Sequence, residues 1–412
     1  MSRKKIELMS PAGSFESLRA AIGNGADSVY FGIEQLNMRA NSSRNFKIDE
    51  LPLIADICHN AGIKAYMTLN TIVYDHDLKL IKHIIDAAKD AGIDAIIAMD
   101  QAVINYAYKT GMPVHISTQL NITNIETVEF YSRFADVMVL ARELSLRQIK
   151  HICQQIEKRQ IKGPGGKLVK IEVFAHGALC MAVSGKCYMS LHTMNSSANR
   201  GACLQNCRRK YKVIDLEDGH ELVIDNEYIM SPKDLATIDF LDKLVETGID
   251  ILKIEGRARS PEYVARVTRT YKEALEAVYE NSYTENKIQQ WFDTLSTVYN
   301  RGFWGGYYLG KKLGEWTNKS GSSATEKKVY LGKGIHYYPK AKIAHFKIES
   351  DSLRKGDKIL ITGPNTGLVE ATIESLMVDD VFVEEATKGQ ECTFRLDKTI
   401  RRADKLYKII PA

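Results

Sequence analysis

The sequence predicts an α/β chain: a (β/α)8 TIM-type barrel with a cysteine-bearing insertion between strands 7 and 8, then a small C-terminal β-barrel-like domain. Two regularities carry the barrel, and a change of texture beyond residue 320 carries the β domain. The first regularity is a phrase that recurs as Asn24-Gly25-Ala26-Asp27, Ala61-Gly62-Ile63-Lys64, Ala91-Gly92-Ile93-Asp94, Thr110-Gly111-Met112-Pro113 and Thr247-Gly248-Ile249-Asp250. Each copy closes an amphipathic stretch, as a glycine just past a helix does, and the chain then turns into a short apolar run. Before Gly92, for example, Leu78, Ile81, Ile84, Ile85 and Ala88 share one helical face, with Asp77, Lys79, Lys82, Asp86 and Lys89 elsewhere.

The second regularity is the set of apolar runs itself. Five follow the glycines: Ser28–Phe31, Ala65–Thr68, Ala95–Met99, Val114–Thr118 and Ile251–Ile254. Ile6–Met9, Val137–Leu140 and Ile171–Phe174 complete eight. Strands that alternate with helices pair in parallel under a helical cover, and eight units in about 260 residues favour a closed barrel over an open doubly wound sheet. Nearly 80 residues separate the seventh run from the eighth. That insertion must start at the C-terminal end of a strand, where a barrel builds its active site. The barrel is expected over 1–315, with the cysteine-rich insertion at about 176–230. Ser320-Gly321-Ser322-Ser323 looks like a linker. The alternating runs Lys342–Ile348, Lys358–Thr362 and Val381–Glu385 then place a β domain over 325–412.

Composition narrows the function classes. With 412 residues, 44% hydrophobic and 26% charged, the chain reads as an ordinary globular protein. No stretch approaches the roughly 20 apolar residues of a membrane span, and the charged start Met1-Ser2-Arg3-Lys4-Lys5 runs directly into a strand without a signal peptide. A cytoplasmic location and no membrane partner are expected. A net charge of +5 is compatible with nucleic acid without demanding it.

Four of the seven cysteines crowd into the insertion as Cys180-x6-Cys187-x15-Cys203-x3-Cys207. Clustering of this kind in a chain without an export signal points to a metal site rather than disulfides. Structural zinc sites favour two tight pairs, and only the last pair is tight here; a cubane iron–sulfur cluster takes four cysteines. The spacing leaves iron–sulfur, zinc and chance packing open. Cys58, Cys153 and Cys392 stand apart and are expected to be buried filler.

Several motifs are similar to those of the collagenase-like U32 peptidase family. They are Glu172-Val173-Phe174-Ala175-His176-Gly177-Ala178-Leu179-Cys180 with Gly185-Lys186-Cys187, Ser197-Ala198-Asn199-Arg200-Gly201-Ala202-Cys203, and Cys207-Arg208. Leu8-Met9-Ser10-Pro11-Ala12-Gly13, Ser117-Thr118-Gln119, Ala141-Arg142-Glu143-Leu144-Ser145 and Lys253-Ile254-Glu255-Gly256-Arg257 also fit. The resemblance spans roughly 1–310, and the tail resembles the family's C-terminal β domain. Peptidase chemistry needs an activated nucleophile or a metal-bound water. His220-Glu221 lacks a second histidine at Ile224, and no Gly-x-Ser-x-Gly elbow occurs. The resemblance instead implies oxygen insertion. Family members with assigned roles hydroxylate tRNA wobble uridine using prephenate, hydroxylate a ribosomal RNA cytidine, or act in anaerobic ubiquinone synthesis, and are described as iron–sulfur proteins. The Cys203-x3-Cys207-Arg208 ending is most similar to the tRNA branch.

That resemblance implies a 4Fe–4S cluster on Cys180, Cys187, Cys203 and Cys207, with zinc or an empty site in protein handled in air. It implies prephenate as a dicarboxylate co-substrate. The expected function is hydroxylation of tRNA wobble uridine to 5-hydroxyuridine. The alternatives are a U32-type peptidase, a hydroxylase of rRNA cytidine or of a quinone precursor, or a non-catalytic RNA-binding protein. Glu143, Glu255 and His176 are the candidate catalytic groups, weighed against ordinary ion pairs and a structural histidine. Arg142 and Arg257 suit a carboxylate grip, because guanidinium pairs bidentately with carboxylate. Asn70 and Gln119, at strand ends, are candidates for amide contacts. Arg200, Arg208, Arg209, Lys210 and Lys212 around Tyr211 form a basic run that reads either as a solvated face or as an RNA-phosphate patch. The cations Arg395, Lys398, Arg401, Arg402, Lys405 and Lys408 of the tail could share it. Beyond tRNA, a partner protein or a homo-oligomer stays open. Lys162-Gly163-Pro164-Gly165-Gly166-Lys167 precedes a strand and reads as a surface turn, not a phosphate loop.

Overall fold

A computed structural model describes residues 4–40, 45–211, 228, 230–310, 314–319 and 321–412. Its eight barrel strands coincide with the eight apolar runs. They are β1 (Glu7–Ala12), β2 (Ser28–Gly32), β3 (Lys64–Leu69), β4 (Ala95–Ala98), β5 (Val114–Ile116), β6 (Val137–Val139), β7 (Lys170–Gly177) and β9 (Ile251–Ile254). Every neighbouring pair is parallel, and β9 pairs with both β7 and β1, so the sheet closes on itself. Gly25, Gly62, Gly92, Gly111 and Gly248 all have positive φ (71–89°), which is how each stops its helix and redirects the chain. Ile81, Ile84, Ile85 and Ala88 are the buried face of the helix Leu78–Asp90.

Two cores result. Apolar faces of the helices pack onto the outside of the barrel, while Met9, Tyr30, Tyr66, Ala95, Ile97, Val137 and Ile251 form a separate cluster. Inside the insertion, β8 (Asp234–Ala236) runs antiparallel to the end of β7 and pairs in parallel with the strand Phe303–Trp304. Among the described residues no helix is long and apolar enough to cross a membrane. Lys162–Lys167 is a turn, bridged by Lys162 and Leu168 and closed by Gly163 N donating to Lys167 O at 3.0 Å.

Beyond the barrel an antiparallel eight-stranded sheet is built around the long strand Glu326–Tyr338 and its neighbours Ile343–Ile348 and Lys405–Pro411. Leu331, Phe346, Ile361, Phe394 and Leu406 are part of its own core. It is fastened to the barrel by Arg266, which pairs with Glu326 and Glu370 at 2.7 Å each, and by Arg19 donating to the Pro364 carbonyl.

Candidate active site

The C-terminal ends of the barrel strands open into a cavity of about 150 Å³. Asn70, Gln119, Arg142, Glu255, Arg257 and all four clustered cysteines line it. The cysteine insertion folds back over this mouth. Its Gly201, at φ 86°, lies so close to the segment after β2 that a Cβ there would stand 2.2 Å from the Asn37 carbonyl oxygen. Only glycine permits that approach.

Five charged side chains, Arg39, Arg142, Lys253, Glu255 and Arg257, stand in a largely apolar lining. Glu255 pairs with Arg39 at 2.9 Å and accepts a 3.0 Å hydrogen bond from the Tyr30 hydroxyl. Burial alone would raise the Glu255 carboxyl, but Arg39, Arg142 and Arg257 together hold it down at about 2. Arg257 is 5% exposed and donates to Asn37 Oδ1 (2.9 Å) and Thr68 Oγ1 (2.7 Å). Burial draws its pKa down to about 10, against the pull of Tyr30 and Glu255. Arg142 donates to the Ala178 carbonyl at 2.9 Å and lies 3.8 Å above the Phe174 ring. The Nε atoms of Arg142 and Arg257 are both buried without an acceptor. Both arginines line the cavity, and two guanidinium groups on one cavity suit an anion. Asn70 reaches Ser117 and Gln119 at 3.4 Å.

The four cysteines are free thiols. Burial pushes the Cys207 thiol up; Arg208 opposes that shift, while Cys180, Cys203 and Cys187 add to it. In kind and number this donor set suits a cubane cluster. Among the described residues, however, no three His, Cys, Asp or Glu side chains stand in a metal-ligating group.

Other expectations need correcting. Glu143 is exposed and does not line the cavity, although its neighbour Arg142 does. His176 is also outside it, buried against the rings of Tyr263, Tyr271 and Phe303, where burial pushes its pKa down to about 3. It is packed as a neutral ring, poorly suited to moving protons. The basic run does not form one surface patch. Arg200 pairs with Asp77, donates to the Ile72 carbonyl and covers Tyr74. Arg208 donates to Ser231 Oγ and to the carbonyls of Pro232 and Leu179. Arg200 staples the insertion to the barrel and Arg208 ties the insertion to itself, because a partly buried cation must find its acceptors inside. Only Arg209 and Lys210 of the described run are exposed, with Tyr211 half-buried and donating to the Asn206 carbonyl. Lys212, His220, Glu221 and Ile224 lie outside the described residues.

The model of peptidase family U32 matches residues 13–318. The chain belongs to this family. A Porphyromonas gingivalis protein named collagenase is 55% identical over 408 residues, covering 99% of each chain. A Bacillus subtilis tRNA hydroxylation protein is 30% identical over 422 residues, covering 98% of this chain and 95% of its own. An Escherichia coli 23S rRNA 5-hydroxycytidine synthase is 35% identical over 281 residues, covering 68% of this chain and 41% of its own.

Several residues of the cavity wall and of the packing behind it have no counterpart among the sequence-based candidates. Arg39, Tyr30, Asn37 and Thr68 carry no local signal. Glu172 and Lys253 did carry one: each is a charge inside an otherwise apolar barrel strand, and both are buried, at 0% and 4% exposure.

Proposed function

We propose that this U32 protein is an iron–sulfur RNA-modifying enzyme that hydroxylates the wobble uridine of tRNA to 5-hydroxyuridine, with prephenate as co-substrate. The observation that supports the reading is that four free thiols and two arginines, Arg142 and Arg257, line one cavity. Cys180, Cys187, Cys203 and Cys207 would hold the cluster, which supplies an electron-transfer or Lewis-acid centre when bound. Arg142 and Arg257 bind the two carboxylates of prephenate. Glu255 keeps its charge through Arg39, and the buried Tyr30, its pKa raised by burial and then by Glu255, stays protonated and donates to it. This leaves Glu255 a fixed anion that orients the arginines, not a proton acceptor. Relatives whose names specify tRNA and rRNA hydroxylation support the choice of an RNA substrate.

The test is nucleoside mass spectrometry of tRNA from cells lacking this protein. Loss of 5-hydroxyuridine and its derivatives, restored by the wild-type chain and not by a Cys203→Ala chain, is expected. Unchanged 5-hydroxyuridine would overturn the proposal.

A second reading, peptidase, draws on the relative named collagenase. Among the described residues no histidine lines the cavity, and its one carboxylate is locked in an ion pair, so no base stands beside a nucleophile there. Cleavage of denatured collagen by the purified protein, abolished by Glu255→Gln, would favour it.

A further inference from the structure

A second, larger recess lies between the barrel and the C-terminal sheet, with a volume of about 990 Å³. Its barrel wall is Gly13–Ser17, at the start of the helix Phe15–Gly23, and Arg257–Pro261, at the start of the helix Pro261–Tyr279. Both stretches follow barrel strands at their C-terminal ends, so the recess opens on the same face as the active-site cavity. Arg257 lines both. Gly13 packs directly on the Arg257 backbone: a Cβ there would sit 1.9 Å from the Arg257 carbonyl oxygen.

The opposite wall comes from the C-terminal sheet and is cationic. Arg401, Arg402 and Lys405 are exposed on it and have no carboxylate partner within ion-pair distance among the described residues. Lys328 also faces the recess but is paired with Glu262 at 2.8 Å. From the barrel side Arg259 adds a guanidinium, held 3.7 Å over the Tyr299 ring. Glu16 and Asp404 are the carboxylates on the recess walls, and Asp404 is buried, accepting from Thr366 and from the Arg401 backbone N–H. Unpaired surface cations in a concave wall repel one another and gain most from a polyanion. Two helix N-termini facing the same space add partial positive charge. The recess is open, and its cations are spread over two domains, which suits an extended chain of phosphates rather than one.

We propose that this interdomain cleft binds the phosphodiester backbone of an RNA strand and passes the adjoining nucleotide across Arg257 into the active-site cavity. The inference rests on the RNA reading above and moves RNA docking away from Arg200 and Arg208, whose guanidinium groups are used internally.

The test compares tRNA binding across a salt series for three full-length proteins: wild type, the triple variant Arg401→Ala, Arg402→Ala, Lys405→Ala, and the double variant Arg209→Ala, Lys210→Ala. The triple variant should bind roughly tenfold or more weakly, with a salt slope shallower by about one for each phosphate left un-neutralised, while its thermal unfolding is unchanged. The double variant should stay near wild type. If wild type binds tRNA and the triple variant binds equally well, the cleft assignment falls and the RNA reading stands. If wild type binds no tRNA, the RNA reading falls and takes the cleft with it. Inorganic pyrophosphate serves as the small-anion control: binding to wild type that the triple variant loses, with tRNA affinity unaltered, would make this a small-phosphate site and overturn the proposal.

Discussion

Lys253 Nζ stands 2.7 Å from Glu172 Oε1, with both side chains buried inside the barrel. The same ammonium lies 4.5 Å over the Tyr30 ring, and Tyr30 donates to Glu255, which pairs with Arg39. A continuous run of charge and aromatic contacts therefore leads from the barrel interior to the site mouth. His115 Nδ1 lies 3.7 Å from the other Glu172 oxygen, and neither atom has a hydrogen-bond partner. Burial would raise the Glu172 carboxyl, but Lys253 and His115 hold it below its ordinary value.

Removing one member of this pair strands a buried charge. Lys253→Met should cost about 3–5 kcal/mol of stability, whereas Lys253→Met with Glu172→Leu should recover most of it. Urea unfolding of the three proteins checks this; equal losses in the single and double variants would show that the pair is not coupled.

His176 gives the protein a stability that depends on pH. Its folded pKa, near 3, lies below its unfolded value of about 6.5, so the unfolded chain takes up the proton first. Stability should therefore fall as pH drops from about 6.5 towards 3. In His176→Phe this contribution to the slope should vanish, with the proposed tRNA hydroxylation retained at neutral pH. Loss of activity in a folded His176→Phe protein would restore the histidine to the chemistry.

Arg142→Lys and Arg257→Lys keep the charge but lose the planar fork and its Nε donor. Each should raise the KM for prephenate, the proposed co-substrate, about 10- to 100-fold, the worth of a charged hydrogen bond. A KM that is the same in all three proteins would remove the arginines from co-substrate binding.

Substituting any one of Cys180, Cys187, Cys203 or Cys207 by serine should bleach the visible absorption of anaerobically purified protein and lower its iron content. Cys58→Ser should leave both unchanged, because that thiol is buried against the barrel with its pKa pushed up to about 12 by burial. Equal iron in all five variants would exclude the four-cysteine ligand set.

The barrel was legible from the chain because its determinants are local. Glycines that stop helices and apolar runs that fill parallel strands act within a few residues of themselves, so eight runs matched eight strands. The four cysteines, Arg142, Glu255 and Arg257 were legible because strand ends and a long insertion place side chains at one barrel face. What tertiary structure alone decided was direction and partnership. Arg142 turns into the cavity while Glu143 faces solvent. Arg200 finds the Ile72 carbonyl 128 residues away, and Arg208 finds Leu179 and Pro232. A run of cations looks the same in sequence whether it awaits RNA or already holds internal acceptors. Burial sets the difference, since a guanidinium removed from water must be satisfied by whatever the fold brings within hydrogen-bond distance.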